Sequence, residues 1–289
     1  MGPTLVLTGA GPLDADCAAR AAQAAGCDAP RALGATAAEA AAPDLDPRRL
    51  AAARAALSGA PVDANLVPRR GLPRLLICDM DSTVIGCECI DEIADVAGVG
   101  AQVAAVTERA MQGALDFEAA LVERMALLAG LDAAALERVW AERVRLNPGA
   151  ETLVRTLAGL GVETALVSGG FTFFTERVAA AAGFASHAAN TLEIADGRLT
   201  GRVVPPILGR DAKAQRLAAL AEAGGFGAEA VVAVGDGAND LAMIRAAGLG
   251  VAYRAKPVLA DAADARIDHA DLTAALHLVG VAETDWVAA

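Results

Sequence analysis

Leu75-Leu76-Ile77-Cys78 runs without a break into Asp79-Met80-Asp81-Ser82-Thr83, and this stretch decides how the chain is read. A short unbroken apolar run is what a strand buried on both faces looks like, unlike the alternation of a half-exposed strand. Two later stretches repeat the form. Thr164-Ala165-Leu166-Val167 stops at Ser168-Gly169-Gly170, and Val231-Val232-Ala233-Val234 stops at Gly235-Asp236-Gly237-Ala238-Asn239-Asp240. Helical stretches separate them. One is expected to have Asn147 as its N-cap, Pro148 in the first helical position and Gly161 as its stop, and another to run from near Asp211 to Gly224-Gly225. Alternating strands and helices imply an α/β architecture, a parallel sheet covered by helices on both faces. In such an open sheet the ligand lies beyond the carboxyl ends of the strands.

Two segments depart from the alternation. Residues 88–146 read as wholly helical and are too long for a simple crossover, so an inserted helical cap domain is expected there. Leu192 to Leu199 carries an Asp196-Gly197 pair, the signal of a β-hairpin. Residues 1–70 form a different unit, with an apolar run at Leu5-Val6-Leu7, helices from near Asp14 to Gly26 and from Asp46 to Ser58, and a strand ending at Val67. Pro68-Arg69-Arg70-Gly71 reads as the linker, its arginines solvated. The expected organisation is therefore a small N-terminal α/β domain over 1–70 and a larger domain over 71–289.

Composition narrows the class. The chain has 289 residues, with 24 basic and 36 acidic side chains and a net charge of -12. Acidic balance argues against a nucleic-acid partner, because phosphate backbones demand Lys and Arg. No apolar run approaches the ~18 residues of a membrane span, and Met1-Gly2-Pro3-Thr4 lacks the basic start of a secretory signal. Five cysteines, an odd number, do not make a disulfide framework. Neither nucleic acid nor membrane is expected as a partner, and a cytoplasmic protein is. Cys87 and Cys89 flank Glu88 without His partners and read as a reduced structural pair. His187, His269 and His277 match no motif and are expected at the surface or at helix ends.

The chemistry gathers where the apolar runs end. Asp79, Asp81, Asp236 and Asp240 would share one rim, and carboxylates packed together repel unless a cation or proton joins them. Oxygen ligands without His or Cys favour Mg2+, which commonly completes its shell with a substrate phosphate. Lys213 falls in the first turn of a helix, where a cation opposes the helix dipole. That placement makes sense if its ammonium reaches a bound phosphate and a nucleophilic carboxylate.

Asp79-Met80-Asp81-Ser82-Thr83, Ser168-Gly169-Gly170, Lys213 and Gly235-Asp236-Gly237-Ala238-Asn239-Asp240 resemble, in order, the four motifs of the haloacid dehalogenase-like phosphatases. Glu88-Cys89-Ile90-Asp91-Glu92-Ile93-Ala94, Thr107-Glu108-Arg109-Ala110-Met111 and Gly169-Gly170-Phe171-Thr172-Phe173-Phe174 are similar to the phosphoserine phosphatase branch of that family. The resemblance runs from about Leu72 to about Asp271. It implies a Rossmann-like parallel sheet core with a helical cap and, as substrate, O-phosphoserine, with phosphoserine hydrolysis as the last step of serine biosynthesis. By the same resemblance Asp79 is the nucleophile, Asp81 the general acid and base, and Lys213 a catalytic charge that also contacts phosphate. Ser168, the Gly169 N–H and Asn239 bind phosphoryl oxygens. Mg2+ is held by Asp79, the Asp81 backbone carbonyl and Asp236, with Asp240 supporting the site from behind. Glu88 takes the substrate ammonium, Arg124 its carboxylate, and Met111 and Phe117 form apolar walls. Ser82 and Thr83 cap the turn after the nucleophile.

Three other functions compete. The same residues would serve another small phosphomonoester, or phosphate transfer to an alcohol. A receiver-like signalling domain also carries a phosphorylated Asp, but needs neither a general acid for a leaving alcohol nor a cap. A transport ATPase shares the nucleophile but needs membrane spans. For residues 1–70 an amino-acid-sensing ACT-like domain, homodimerisation and simple packing against the core all stand open.

Overall fold

The computed structural model describes residues 2–68, 70–112, 114–209 and 211–288, without the side chain of Met111. The N-terminal unit contains β1 (Thr4–Gly9), α1 (Ala15–Ala24), β2 (Arg31–Ala32), β3 (Ala37–Ala41), α2 (Pro47–Ala56) and β4 (Val62–Val67). Its strands make a sheet of order β2-β3-β1-β4, with β1 antiparallel to β3 and to β4. Asp14 and Asp46 cap α1 and α2 by accepting from Cys17 N and Arg48 N, which explains why acids stand there. β1 buries both faces. Leu5 and Leu7 pack with Ala18, Ala21, Ala53 and Leu57, whereas Val6 belongs to the core of the larger unit. The sequence does not signal β3. Ala37-Ala38-Glu39-Ala40-Ala41 has helix-forming composition, and pairing with a doubly buried β1 overrides that propensity.

The larger unit begins with β5 (Leu75–Cys78). Next come α3 (Cys89–Val96), α4 (Gly100–Met111), α5 (Phe117–Leu127) and α6 (Ala134–Glu142), the helical insertion read from the sequence. The chain then follows α7 (Ala150–Gly159), β6 (Glu163–Phe171), α8 (Thr172–Ala182), β7 (Ser186–Ala195), β8 (Arg198–Val204), α9 (Ala212–Gly224) and β9 (Val231–Gly235). It ends through α10 (Leu241–Ala246), β10 (Leu249–Tyr253), α11 (Pro257–Ala260), β11 (Ala265–Ile267) and α12 (Ala274–Val279). The sheet order is β11-β10-β9-β5-β6-β7-β8, parallel throughout except between β7 and β8.

Successive residues of the central strands serve opposite cores, as the unbroken apolar runs require. Leu76, Leu166 and Val232 pack with Leu153 of α7 and Val178 of α8, while Leu75, Ala165 and Val231 pack with Leu217 of α9 and Ile244 of α10. Asp196 and Gly197 both have positive φ, 51° and 74°, the geometry of a two-residue hairpin joining β7 to β8. One helix start differs from expectation. Gly149, at φ 80°, is the N-cap of α7, and a Cβ there would lie 2.7 Å from Thr273 N. Asn147 is drawn away from capping because its Nδ2 donates to the carbonyls of Thr83, at 2.8 Å, and Ile85, at 3.1 Å.

The two units meet along β4 and β11. Asn65 imitates a strand neighbour: its Nδ2 donates to Arg266 O and its Oδ1 accepts from Arg266 N, both at 2.7 Å. Asp63 receives the N–H groups of Asp268, His269 and Ala270. Both side chains are buried. Asn65→Ala would strand an N–H and a carbonyl in a closed seam, at about 1–3 kcal/mol for each unsatisfied group. A clear fall in the urea midpoint is expected, and an unchanged midpoint would show that the seam is not a stabilising contact.

Candidate active site

β9, β5 and β6 are neighbours, so the segments leaving their carboxyl ends converge. Asp79 is the first residue past β5, and its Oδ1 accepts from Met80 N at 2.7 Å. The chain then makes a tight turn over Met80–Val84, in which Ser82 takes the left-handed value φ 56°. This folds Asp81 back beside the end of β6. Its Oδ1 accepts from Cys89 N and its Oδ2 from the Ser168 hydroxyl, each at 2.9 Å. Ser168 Oγ in turn accepts from Gly170 N at 2.8 Å. Gly170 has no room for a side chain, because a Cβ would lie 2.9 Å from Asp81 Oδ2.

Lys213 enters from the first turn of α9 and is buried. Its Nζ lies 2.7 Å from Asp79 Oδ2 and 2.5 Å from Asp240 Oδ1. Burial works against its charge, but those two carboxylates outweigh burial and hold its pKa above the ordinary lysine value. Asp240 is fully committed, since its Oδ2 also accepts from the N–H groups of Asp236 and Gly237. Asp236 Oδ1 accepts the Thr83 hydroxyl at 3.1 Å. Burial and the charge of Asp240 push the carboxyl of Asp79 well up against the pull of Lys213, and burial first, then Asp240 and Glu88, push Asp236 up to about 6. Burial, with the charge of Glu88, also pushes Asp81 up to about 6, against the hydrogen bonds it accepts.

Oxygens of Asp79, Asp236 and Asp240 lie within 4.8 Å of one another. Three carboxylates against one ammonium leave excess negative charge in a buried place, and the donors are all hard oxygens. That donor set fits a divalent cation of the Mg2+ class. The side chain of Asp81 points instead at Cys89 and Ser168.

The other expected residues divide between this rim and the helical insertion. Phe117 opens α5 and covers Gly169, where a Cβ would lie 2.8 Å from its ring. Phe117, Ser168, Gly169, Lys213 and Asn239 line one slot together with Leu208 and Gly209. Glu88 immediately precedes α3 and accepts the Ser82 hydroxyl at 2.6 Å. Arg124 lies half-buried on α5, its Nε donating to Ala120 O at 3.2 Å, near enough to Asp91 and Glu88 to feel both charges. Met111 ends α4, and its side chain lies outside the described residues. Ser82 and Thr83 do not cap the turn as expected. Their hydroxyls donate instead to Glu88 and to Asp236.

One further contributor carries no signal in the sequence, and two residues read there as caps turn out to do something else. Buried Asn190 donates to Gly169 O at 2.9 Å and accepts from Leu208 N at 2.7 Å, joining the Ser168 loop to the opposite wall of the slot. Thr83 and Asn147 act similarly around the nucleophile turn. Asn190 has an unremarkable neighbourhood in sequence, and only its tertiary partners mark it.

Comparison with known proteins places the chain in a family. The sequence profile of the haloacid dehalogenase-like hydrolases matches residues 76–245. A phosphoserine phosphatase from Streptomyces coelicolor is 50% identical over 220 residues, covering 76% of this chain and 53% of that protein. This chain thus spans little more than half of that relative's length. Among solved structures, a probable phosphoserine phosphatase from Vibrio cholerae superposes with a TM-score of 0.82 at 32% identity, over 98% of this chain and 88% of the other. A substrate-bound phosphoserine phosphatase complex gives a TM-score of 0.67 at 39% identity, over 72% of this chain and 98% of the other.

Proposed function

We infer the function from one premise: this chain belongs to the haloacid dehalogenase-like hydrolase family. We propose that it is a magnesium-dependent phosphoserine phosphatase, converting O-phospho-L-serine to L-serine and phosphate as the last step of serine biosynthesis in the cytoplasm. The observation that carries the proposal is the meeting of Asp79 and Asp81 after β5, Ser168 of β6 and Lys213 of α9 beside a helical insertion that holds Glu88 and Arg124. We take residues 1–70 as a separate N-terminal domain and 71–289 as the catalytic domain, with the cap at about 88–146.

In this mechanism an Asp79 carboxylate oxygen attacks phosphorus, and the bond from phosphorus to the serine oxygen breaks. Asp81, whose pKa burial holds at about 6, gives its proton to that leaving oxygen. Returned to its carboxylate form, Asp81 takes a proton from water as the water attacks phosphorus. The bond to Asp79 then breaks, releasing phosphate. Ser168, the Gly169 N–H, Asn239 and Lys213 bind the phosphoryl oxygens, with donors fixed in advance where charge develops. Asp79, Asp236 and the Asp81 carbonyl would hold Mg2+, which when bound offsets the repulsion between carboxylate and phosphate. In the cap, Glu88 takes the ammonium and Arg124 grips the carboxylate with a planar fork. Phe117, over Gly169, closes an apolar wall.

Phosphate release from L- and D-phosphoserine, phosphothreonine, a sugar phosphate and an aryl phosphate tests this directly. A strong preference for phosphoserine, lost with EDTA and restored by Mg2+, is the expected result. Arg124→Ala should then raise KM for phosphoserine by about ten- to a hundredfold while leaving the aryl phosphate nearly unchanged, the loss typical of one charge-assisted contact. Equal rates on every ester would remove the Glu88 and Arg124 assignments. A stable phosphoprotein without release would favour the receiver-like function.

A further inference from the structure

Where the N-terminal sheet meets the end of β11, the structure holds a cavity of about 230 Å3. Its walls include Arg54, Gly59, Asp63, Arg266, Asp268 and His269, none of which lines the slot at Gly169 and Lys213. The cavity is therefore separate from the catalytic rim and built from both units.

Arg54 is the unusual wall residue. It lies half-buried on α2, and its Nε donates to Ala64 O at 3.2 Å. Among the described residues its two terminal amino groups have no hydrogen-bond partner, and no carboxylate lies within ion-pair distance of it. Burial lowers its pKa below the ordinary arginine value, the neighbouring Arg266 acts in the same direction, and the charges of Asp268 and Asp63 act against them. Two of the cavity's charged groups, Asp63 and Arg266, are committed elsewhere, while the Asp268 carboxylate lines the same wall. Asp63 receives three backbone N–H groups, and Arg266 donates to Ala260 O and to Asp261. A guanidinium fork open towards a cavity is suited to an oxyanion, which it meets with two parallel hydrogen bonds.

We propose that this cavity is a binding site for a small oxyanion, a carboxylate or a phosphate, held by Arg54 at the seam between the two units. The site does not depend on the catalytic assignment above. Amide shifts of the full-length 15N-labelled protein test it, in separate titrations with inorganic phosphate, acetate and L-serine. Saturable shifts at Gly59, Ala60 and Asp268 are expected with at least one of the three. Arg54→Leu should weaken that binding by about tenfold or more, with the basal phosphatase rate unchanged. Arg54→Lys, which keeps the charge and loses the fork, should fall between and serves if Arg54→Leu folds poorly. Saturation by phosphate alone assigns a phosphate ligand, and saturation by acetate or L-serine with phosphate silent assigns a carboxylate. Shifts confined to Gly169 and Gly170, equal shifts in the Arg54 variants, or no saturable shift with any probe would overturn the proposal.

Discussion

Asp79→Asn should lower kcat by on the order of 10⁴-fold or more, the size of loss seen when a nucleophile is removed from a group that acts as a unit. The carboxamide fills the same space and its oxygen can still accept from Met80 N, which the Asp79 carboxylate contacts at 2.7 Å. It has, however, no anionic oxygen to attack phosphorus. Rapid acid quench with radiolabelled phosphoserine should trap a phosphoenzyme in the parent protein and none in the variant. Asp81→Asn makes the informative contrast. It keeps an oxygen for Cys89 N, whose bond to Asp81 is 2.9 Å, but cannot transfer a proton. Turnover should slow on the order of 10²- to 10⁴-fold, as for loss of a general acid and base. Turnover within tenfold of the parent in Asp79→Asn would end its assignment as nucleophile.

The second large effect is expected at Lys213. Its ammonium is the charge that lies between Asp79 and Asp240, with all three side chains buried. Lys213→Met keeps much of the volume and removes the charge, leaving two buried carboxylates facing each other. Breaking a buried ion pair from one side typically costs about 3–5 kcal/mol. Denaturation in EDTA should therefore show a large loss of stability, and added Mg2+ should return part of it by supplying positive charge to the same carboxylates. Phosphate release should also fall by about 10²- to 10³-fold, the scale of losing one preorganised electrostatic contact. Unchanged stability in EDTA would mean that Lys213 does not hold these two carboxylates.

Much of this site is legible without coordinates, for a physical reason. Strands buried on both faces must be continuously apolar, so Leu75–Cys78 and Val231–Val234 announce themselves, and the first polar residue after each lies at the sheet's rim. Asp79 and Asp236 could be placed together on that ground alone. The N-terminal unit is harder. Alanine suits helix and buried strand alike, so Ala37–Ala41 gives no periodicity, and its strand exists because β1 pairs with it. Asn147 shows the opposite failure. It has a good capping sequence in Asn147-Pro148, but two carbonyls near the nucleophile turn compete for its side chain and win.

The residues alone mark the central strands β5, β6 and β9, the rim on which the acids gather, and the excess of carboxylate over ammonium that calls for a cation. These depend on residue type and on spacing along the chain. Packing settles that Asn190 ties Gly169 to Leu208, that Thr83 holds Asp236, that Asp63 and Asn65 close the seam, and that Arg54 lines a cavity. Those are hydrogen bonds and distances between residues far apart in the chain. A buried polar group is defined by its partner, and which partner it meets is settled only when the sheets and helices have packed.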